Sequence, residues 1–402
     1  MIDCVIDAVV NVSDDLPVVV VGNRREVVTE YLGERARIAI QEEQKGTGHA
    51  VLMACAYIEQ GQGGYTIVAA GDMPLLKAET IEQLLRETVE QNYAGTVLTS
   101  IMKNPTGYGR IVRLSDYTVE SIVEERDADE ETKGIHEVNT SVYCFETKYL
   151  LECLDQLTND NSQGEYYLTD CISMMVAAGL RVGALCAPEE ECMGVNNRVQ
   201  LAEAEAVMRK QTAQKLLMDG VTMIDPDRTY IDMRAQIGQD TILYPGVIIE
   251  GKSTIGKGCV LYSGTRINES EIGDNVVLDN SVVLQSKIES NAKIGPFAYL
   301  RPNSVIGQGC KIGDYVEIKN ATIGAGTKVP HLAYIGDADV GGGCNISCGS
   351  VCANYDGKNK YRTTIEDNCF IGCNAVLVAP VTIQKGGYVA AGSTITQDVP
   401  AG

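Results

Sequence analysis

The chain carries only three histidines in 402 residues. One of them, His331, sits in Lys328-Val329-Pro330-His331-Leu332-Ala333-Tyr334. An imidazole can accept a proton near neutral pH, which suits it to act as a general base in acylation of an amine. The same residue could equally be a satisfied structural histidine. The same half of this chain of formal net charge -21 carries Arg301, Lys319 and Lys360. Arg301 and Lys319 lie one repeat apart if a coil takes about eighteen residues. Arginine's fork and lysine's point charge together could grip a phosphate, or both could be solvated corner residues. In the first half, Asp72 follows the apolar run of residues 65–70 and Gly71. An aspartate directly after a strand is placed to hold a metal or phosphate, or simply to turn the chain ahead of Pro74. Upstream, Gly46-Thr47-Gly48 within residues 41–50 lets backbone approach a planar base or a phosphate closely.

The elements that must position these residues fall into two halves. From Ile237 onward a branched or large aliphatic residue recurs every sixth position, as in Ile294, Leu300, Ile306, Ile312 and Ile318. A helix needs apolar spacing of three and four, and a half-buried strand a spacing of two, so period six predicts a hexapeptide parallel β-helix. Burial of each such residue contributes roughly 1.5–3 kcal/mol, and stacked coils reinforce one another. About nine coils fit. Residues 353–362 break the repeat with turn formers and charge, which predicts a projecting loop able to reach a neighbouring subunit. Residues 1–198 instead alternate strand and helix signals in the rhythm of a βαβ sheet. Residues 199–228 form the linker, with a helix over residues 201–220 that ends in a glycine, and residues 229–402 form the β-helix.

Composition excludes several classes. Strong acidity argues against non-specific nucleic-acid binding, which needs cationic surface. No apolar run approaches a membrane span, and no basic stretch precedes an apolar one at the amino terminus. The fourteen cysteines contain no CxxC pair, which fits reduced cytosolic thiols. Cys344, Cys348 and Cys352 are expected to be small buried fillers, with a metal site as the alternative.

Several short motifs follow one another in order: the segment at residues 41–50, Gly71-Asp72, Gly107-Tyr108-Gly109-Arg110, Glu137-Val138-Asn139-Thr140, residues 164–170, and Gly194-Val195-Asn196-Asn197. This order closely resembles the uridyltransferase domain of the bacterial bifunctional N-acetylglucosamine-1-phosphate uridyltransferases and glucosamine-1-phosphate N-acetyltransferases. The hexapeptide half resembles their acetyltransferase domain, so the likeness covers essentially the whole chain. It implies a Rossmann-like nucleotidyltransferase domain, truncated here, followed by a left-handed parallel β-helix. By that likeness Gln41, Gly46 and Thr47 contact the uracil, Asp72 and Asn196 hold magnesium, and Gly109, Glu124 and Asn139 contact the amino sugar.

For the second half, the resemblance implies that His331 deprotonates glucosamine-1-phosphate as its nitrogen attacks acetyl-CoA, with Glu317 orienting the imidazole. Arg301, Lys319, Tyr334, Asn345 and Lys360 bind the sugar phosphate. Cys348, Asn354, Tyr355, Cys373 and Ala391 border acetyl-CoA, and a backbone amide near Cys348 could stabilise the oxyanion. The substrates are small molecules, namely UTP, N-acetylglucosamine-1-phosphate, glucosamine-1-phosphate and acetyl-CoA. A cytoplasmic homotrimer is the expected assembly, with no nucleic acid and no membrane partner.

The chain departs from the family pattern in four places. The glycine-rich loop of type LAAGxGTRM and its downstream lysine are absent, which leads to an expectation of little or no uridyltransferase activity. Ser141 stands where the family usually has glycine. Cys348 and Cys373 replace the usual alanine and serine. The sequence stops at Gly402, short of the family's usual tail, so weaker acetyl-CoA affinity is expected. Two other readings stand beside this one: a nucleotidyltransferase whose β-helix only assembles the oligomer, and a non-catalytic trimeric scaffold or sugar-phosphate sensor.

Overall fold

The computed structural model describes residues 1–13, 15–60, 64–161 and 163–402. The chain divides into two compact units, Met1–Glu205 and Ala206–Gly402.

In the first unit, strand Val18–Val21 runs parallel to Arg37–Ile40, with helix Arg25–Leu32 as the crossover between them. The main sheet is built around the long strand Glu137–Glu146. It pairs antiparallel with Tyr65–Val68 on one side and with Gly95–Ile101 on the other. Gly95–Ile101 in turn runs parallel to Val182–Cys186. The sheet is therefore mixed, which corrects the simple βαβ rhythm expected around Tyr65–Val68. Strand and helix signals are local, whereas the direction of a partner strand depends on a residue far away in sequence. Gly95 shows one such dependence, because a Cβ there would meet the Phe145 ring at 2.7 Å. Helix Ala78–Glu90 buries Ile81, Leu84 and Thr88, three and four apart, against this sheet's core.

Helix Arg198–Met218 ends just before Gly220, whose φ of 93° takes the left-handed conformation open to glycine. Its last turns place Ala213 and Leu216 in the core of the second unit, capping the open end of the coil.

The second unit is a parallel β-helix with sheets of ten, nine and ten strands, the left-handed architecture of the hexapeptide class. Every sixth-position aliphatic points inward; Leu300, Ile312 and Ile318 are fully buried. Small residues fill one inner corner and bond to the next coil. Cys310 Sγ donates to Gly324 O at 3.1 Å, Thr327 Oγ1 to Gly341 O at 2.7 Å, and Cys344 Sγ to Glu366 O at 3.0 Å. Thiol and hydroxyl are interchangeable there because each fits the corner and finds a carbonyl. Cys344 and Cys352 are buried as expected of fillers, but Cys348 is only half-buried at an outer corner. Tyr299 pairs with Glu317, Glu317 with Tyr334, and Tyr334 with Val351. The following step, Val351 to Val376, is longer because the loop at residues 353–362 is inserted in it. Among the described residues, no helix is long and apolar enough to cross a membrane.

Candidate active sites

In the β-helix, His331 lies at an outer corner with its side chain about half exposed. Its Nδ1 is 2.5 Å from Asp314 Oδ1 on the preceding coil. Neighbouring strands of that sheet have two residues each, while Lys311–Asp314 and Lys328–His331 have four, and the added length pairs Asp314 with His331. The two backbones approach so closely that a Cβ on Gly313 would stand 1.7 Å from Pro330 O. The hydrogen bond to His331 holds the Asp314 carboxyl below the usual carboxylate range.

Glu317, expected to orient the imidazole, does not. Its Oε1 accepts from Arg301 Nη1 at 2.8 Å. The register explains the correction: Glu317 opens the next sheet and faces Tyr299 and Tyr334, whereas Asp314 is the residue that faces His331.

The cations converge one coil apart. Arg301 N donates to Ile318 O, and Lys319 pairs with Gly336, so Arg301 and Lys319 share one face. Lys360 beside Lys319, with burial and Arg301, pushes the Lys319 ammonium down despite nearby Asp337. Asp337, at a φ of 49°, accepts from Asn320 Nδ2 at 2.6 Å and also from Asn354 Nδ2. Tyr334 lies over Gly336, where any Cβ would meet its Oη, and that Oη is 3.5 Å from Asn354 Nδ2.

Lys360 is held from the inserted loop. Tyr355 and Lys360 bridge antiparallel, Asp356 Oδ1 accepts from the Lys358 and Asn359 amides, and Tyr355 Oη donates to Gly357 O at 2.7 Å. Arg362 closes the loop with a two-pronged grip on Asp339 at 2.5 Å. Asn345 faces Lys328 in register, and its Nδ2 donates to Ser347 Oγ at 3.2 Å. The register below His331 runs through Cys348, Cys373 and Ala391, tied by Asn374 N to Cys348 O and Gly392 N to Cys373 O. The thiol of Cys373 is exposed.

In the first unit, Gln41 Nε2 donates to Gly46 O at 3.1 Å. Gly46 has a φ of 100°, and a Cβ there would stand 2.5 Å from Tyr166 O, so only glycine fits. Thr47 Oγ1 accepts from Leu168 N at 3.2 Å and Gly48 N donates to Tyr166 O at 2.8 Å. The two segments picked out separately in sequence are thus one stitched wall. Gly109 O accepts from Asn139 N at 2.8 Å, and a Cβ on Gly109 would meet a Glu124 carboxylate oxygen at 3.4 Å, so these three residues meet. Burial raises the Glu124 carboxyl, opposed by the Thr169 hydroxyl at 3.3 Å.

Asp72 and Asn196 flank Gly194: a Cβ there would lie 3.9 Å from Asp72 Oδ2 and from Asn196 Nδ2. A carboxylate and an amide oxygen suit a hard divalent cation that completes its shell with substrate phosphates. Among the described residues, no group of three or more His, Cys, Asp or Glu side chains gathers to hold a metal by itself.

Three contributors were missed in the sequence: Asp314, Asp337 and Arg362. Register arithmetic would have found Asp314, one coil before His331. Asp337 and Arg362 carry no such signal, since Asp337 reads as a turn residue and Arg362 as a loop charge.

Residues 1–194 match the nucleotidyl transferase family, residues 284–355 match the GMPPB C-terminal domain, and residues 234–269 and 362–397 match the bacterial transferase hexapeptide (six repeats). The chain is 48% identical over 401 residues to the bifunctional protein GlmU of Geobacillus sp. (strain WCH70), covering 100% of this chain and 87% of that one. It is 49% identical over 386 residues to bifunctional protein GlmU of Clostridioides difficile (strain 630), covering 96% and 84% respectively. The chain belongs to the bifunctional GlmU family.

The GlmU likeness spans both candidate sites, with the nucleotidyl transferase match enclosing Gln41 to Asp72 and Glu124 to Asn139. The hexapeptide-type matches enclose Arg301, His331 and Cys373. Nothing in these GlmU matches supports the expectation that uridylyl transfer is impaired.

Proposed function

We propose that this GlmU-family chain catalyses both acetyl transfer to glucosamine-1-phosphate and uridylyl transfer to N-acetylglucosamine-1-phosphate. The observation that carries the reading is the β-helix site: a carboxylate-paired histidine three residues ahead of Tyr334, and a cluster of Arg301, Lys319 and Lys360 in an otherwise acidic chain.

In acetyl transfer, the cation cluster holds the sugar's phosphate, and Tyr334 and Asn345 fix its orientation. His331 Nε2 takes a proton from the sugar's amino group as the nitrogen bonds to the thioester carbonyl carbon of acetyl-CoA. A backbone amide beside Cys348 donates to the carbonyl oxygen as negative charge develops there. The C–S bond then breaks, and the coenzyme leaves as the thiol once it regains a proton. Asn354, Tyr355, Cys348, Cys373 and Ala391 border the coenzyme in this reading.

In uridylyl transfer, Gln41, Gly46 and Thr47 form the wall against the uracil. Gly109, Glu124 and Asn139 hold the amino sugar so that its phosphate oxygen stands in line with the α-phosphorus of UTP, from which pyrophosphate leaves. Asp72 and Asn196 are the residues that would hold magnesium, which when bound neutralises phosphate charge.

A cytoplasmic homotrimer is part of the proposal. Exposed Phe297, Tyr315 and Leu332 on successive coils support association between copies, and fourteen unpaired thiols support a reducing compartment.

Two assays test the reading. Thiol release from acetyl-CoA should require glucosamine-1-phosphate and disappear in His331→Ala. Pyrophosphate release from UTP should require N-acetylglucosamine-1-phosphate and a divalent cation, and stop with EDTA. Sugar phosphate that binds without any thiol release would favour a sensor instead.

A further inference from the structure

We infer that Asp314 is a positioning residue for acetyl transfer, setting the tautomer and the direction of the His331 ring. The inference rests on the reading of His331 as the base.

Three independent features of the fold converge on this contact. The first is the 2.5 Å approach of Asp314 Oδ1 to His331 Nδ1. An ionised carboxylate only accepts hydrogen bonds, so Nδ1 carries a proton, and in the neutral imidazole Nε2 keeps its lone pair. Among the described residues Nε2 has no partner, which is the state a base needs before substrate arrives.

The second feature is backbone construction. Ladders elsewhere on this sheet stop after two residues, as in Lys293 with Lys311 and Ile294 with Ile312. Here the ladder runs on to Asp314 and His331. The extension requires Gly313, since any side chain would collide with Pro330 O.

The third is local strain on both sides of the pair. Tyr315 follows Asp314 with a φ of 54°, and Leu332 follows His331 with a φ of 39°. Phe297 takes the same conformation at the corner one coil earlier, at a φ of 59°, so the run of bulky left-handed corners begins before the pair and ends at it; the next coils use Gly349, Asn374 and Gly392, residue types that accept this conformation easily. Bulky side chains forced into the left-handed region cost stability, and such strain persists where the surroundings over-determine it. At both corners the turn immediately follows the paired side chain and fixes where it leaves the coil.

A carboxylate that holds an imidazole by Nδ1 acts on the rate, not on substrate affinity. Asp314→Asn keeps the shape but can donate its amide to Nδ1, favouring the wrong tautomer. The expected result is a fall in kcat of about 10- to 100-fold, with KM for both substrates within about twofold. Asp314→Glu should recover part of the loss. Selective 15N labelling of the three histidines, with His331 assigned by its loss in His331→Ala, should show the Nδ1–H form in the parent and a mixture in Asp314→Asn. Melting temperature and glucosamine-1-phosphate binding, unchanged in Asp314→Asn, separate this role from damage to the coil.

If His331→Ala is inactive while Asp314→Asn retains kcat within twofold and an unchanged imidazole spectrum, the positioning role is wrong and the base assignment stands. If His331→Ala keeps full acetyl transfer, the base assignment fails and takes this inference with it.

Discussion

Arg301 and Glu317 are bound to each other across neighbouring coils, Nη1 to Oε1 at 2.8 Å, and this pair places Glu317 beside the cation cluster rather than behind the histidine. With both side chains more than a third exposed, the pair contributes little to stability. Its effect is to aim the guanidinium. Glu317→Gln should therefore raise KM for glucosamine-1-phosphate severalfold while leaving kcat close to the parent. Steady-state kinetics decides between the roles, because a kcat defect with unchanged KM would return Glu317 to the imidazole.

Lys360 lies beside Lys319 and pushes its ammonium down, and a bound phosphate would relieve the repulsion between the two charges. A charge-assisted hydrogen bond contributes about 1.5–3 kcal/mol. Removing either ammonium should raise KM for glucosamine-1-phosphate by about 10- to 100-fold. Glucosamine without its phosphate should react poorly with the parent and no worse with Lys319→Ala or Lys360→Ala. An equal loss on both substrates would show that the lysines do not meet the phosphate.

Much of this site could be read from the chain. Period six gives the coil, and the coil gives the stacking of Arg301 over Lys319. What escaped was set by the local register. Glu317 and Asp314 are both acidic and both lie about one coil before residues of interest, and only the extended ladder at Gly313 decides which faces His331. In the first unit, residues 41–48 and 165–168 were visible as separate motifs, but their hydrogen bonds depend on the fold. Strand direction was hidden for the same reason, since Tyr65–Val68 takes its orientation from Glu137–Glu146.

Ser141 is held in a strained backbone conformation. Its φ is 61°, and its amide donates to Asn139 Oδ1 at 3.0 Å, so the backbone is held left-handed by a neighbour that meets Gly109. That conformation costs a non-glycine residue roughly 1–2 kcal/mol. Glycine's greater freedom in the unfolded chain returns part of the gain. Ser141→Gly should stabilise the protein by up to about 1 kcal/mol, read as a higher urea midpoint with the same slope. A lower midpoint would mean that the hydroxyl makes a contact worth more than the strain.

Two carboxylates of the first unit should give the stability opposite dependences on pH. Burial raises Glu124, more than the Thr169 hydroxyl lowers it. Such a group favours the folded state fully only below its unfolded pKa of about 4.3. Its contribution is lost as pH rises through the folded value, because the unfolded chain ionises first. Burial acts the same way on Glu137, but there the Arg113 and Thr99 hydrogen bonds, at 2.5–2.8 Å, outweigh it and the carboxyl is lowered. Its stabilisation is present above the unfolded pKa and disappears as pH falls through the folded one. Glu124→Gln should therefore melt higher than the parent at pH 7 and level with it near pH 4. Glu137→Gln should melt lower at pH 7 by an amount reflecting about 2 kcal/mol, and the gap should narrow on acidification. If Glu124→Gln instead loses stability at pH 7, the charge at that position is compensated by a partner, and the uncomfortable burial that would make it receptive to a sugar hydroxyl is absent.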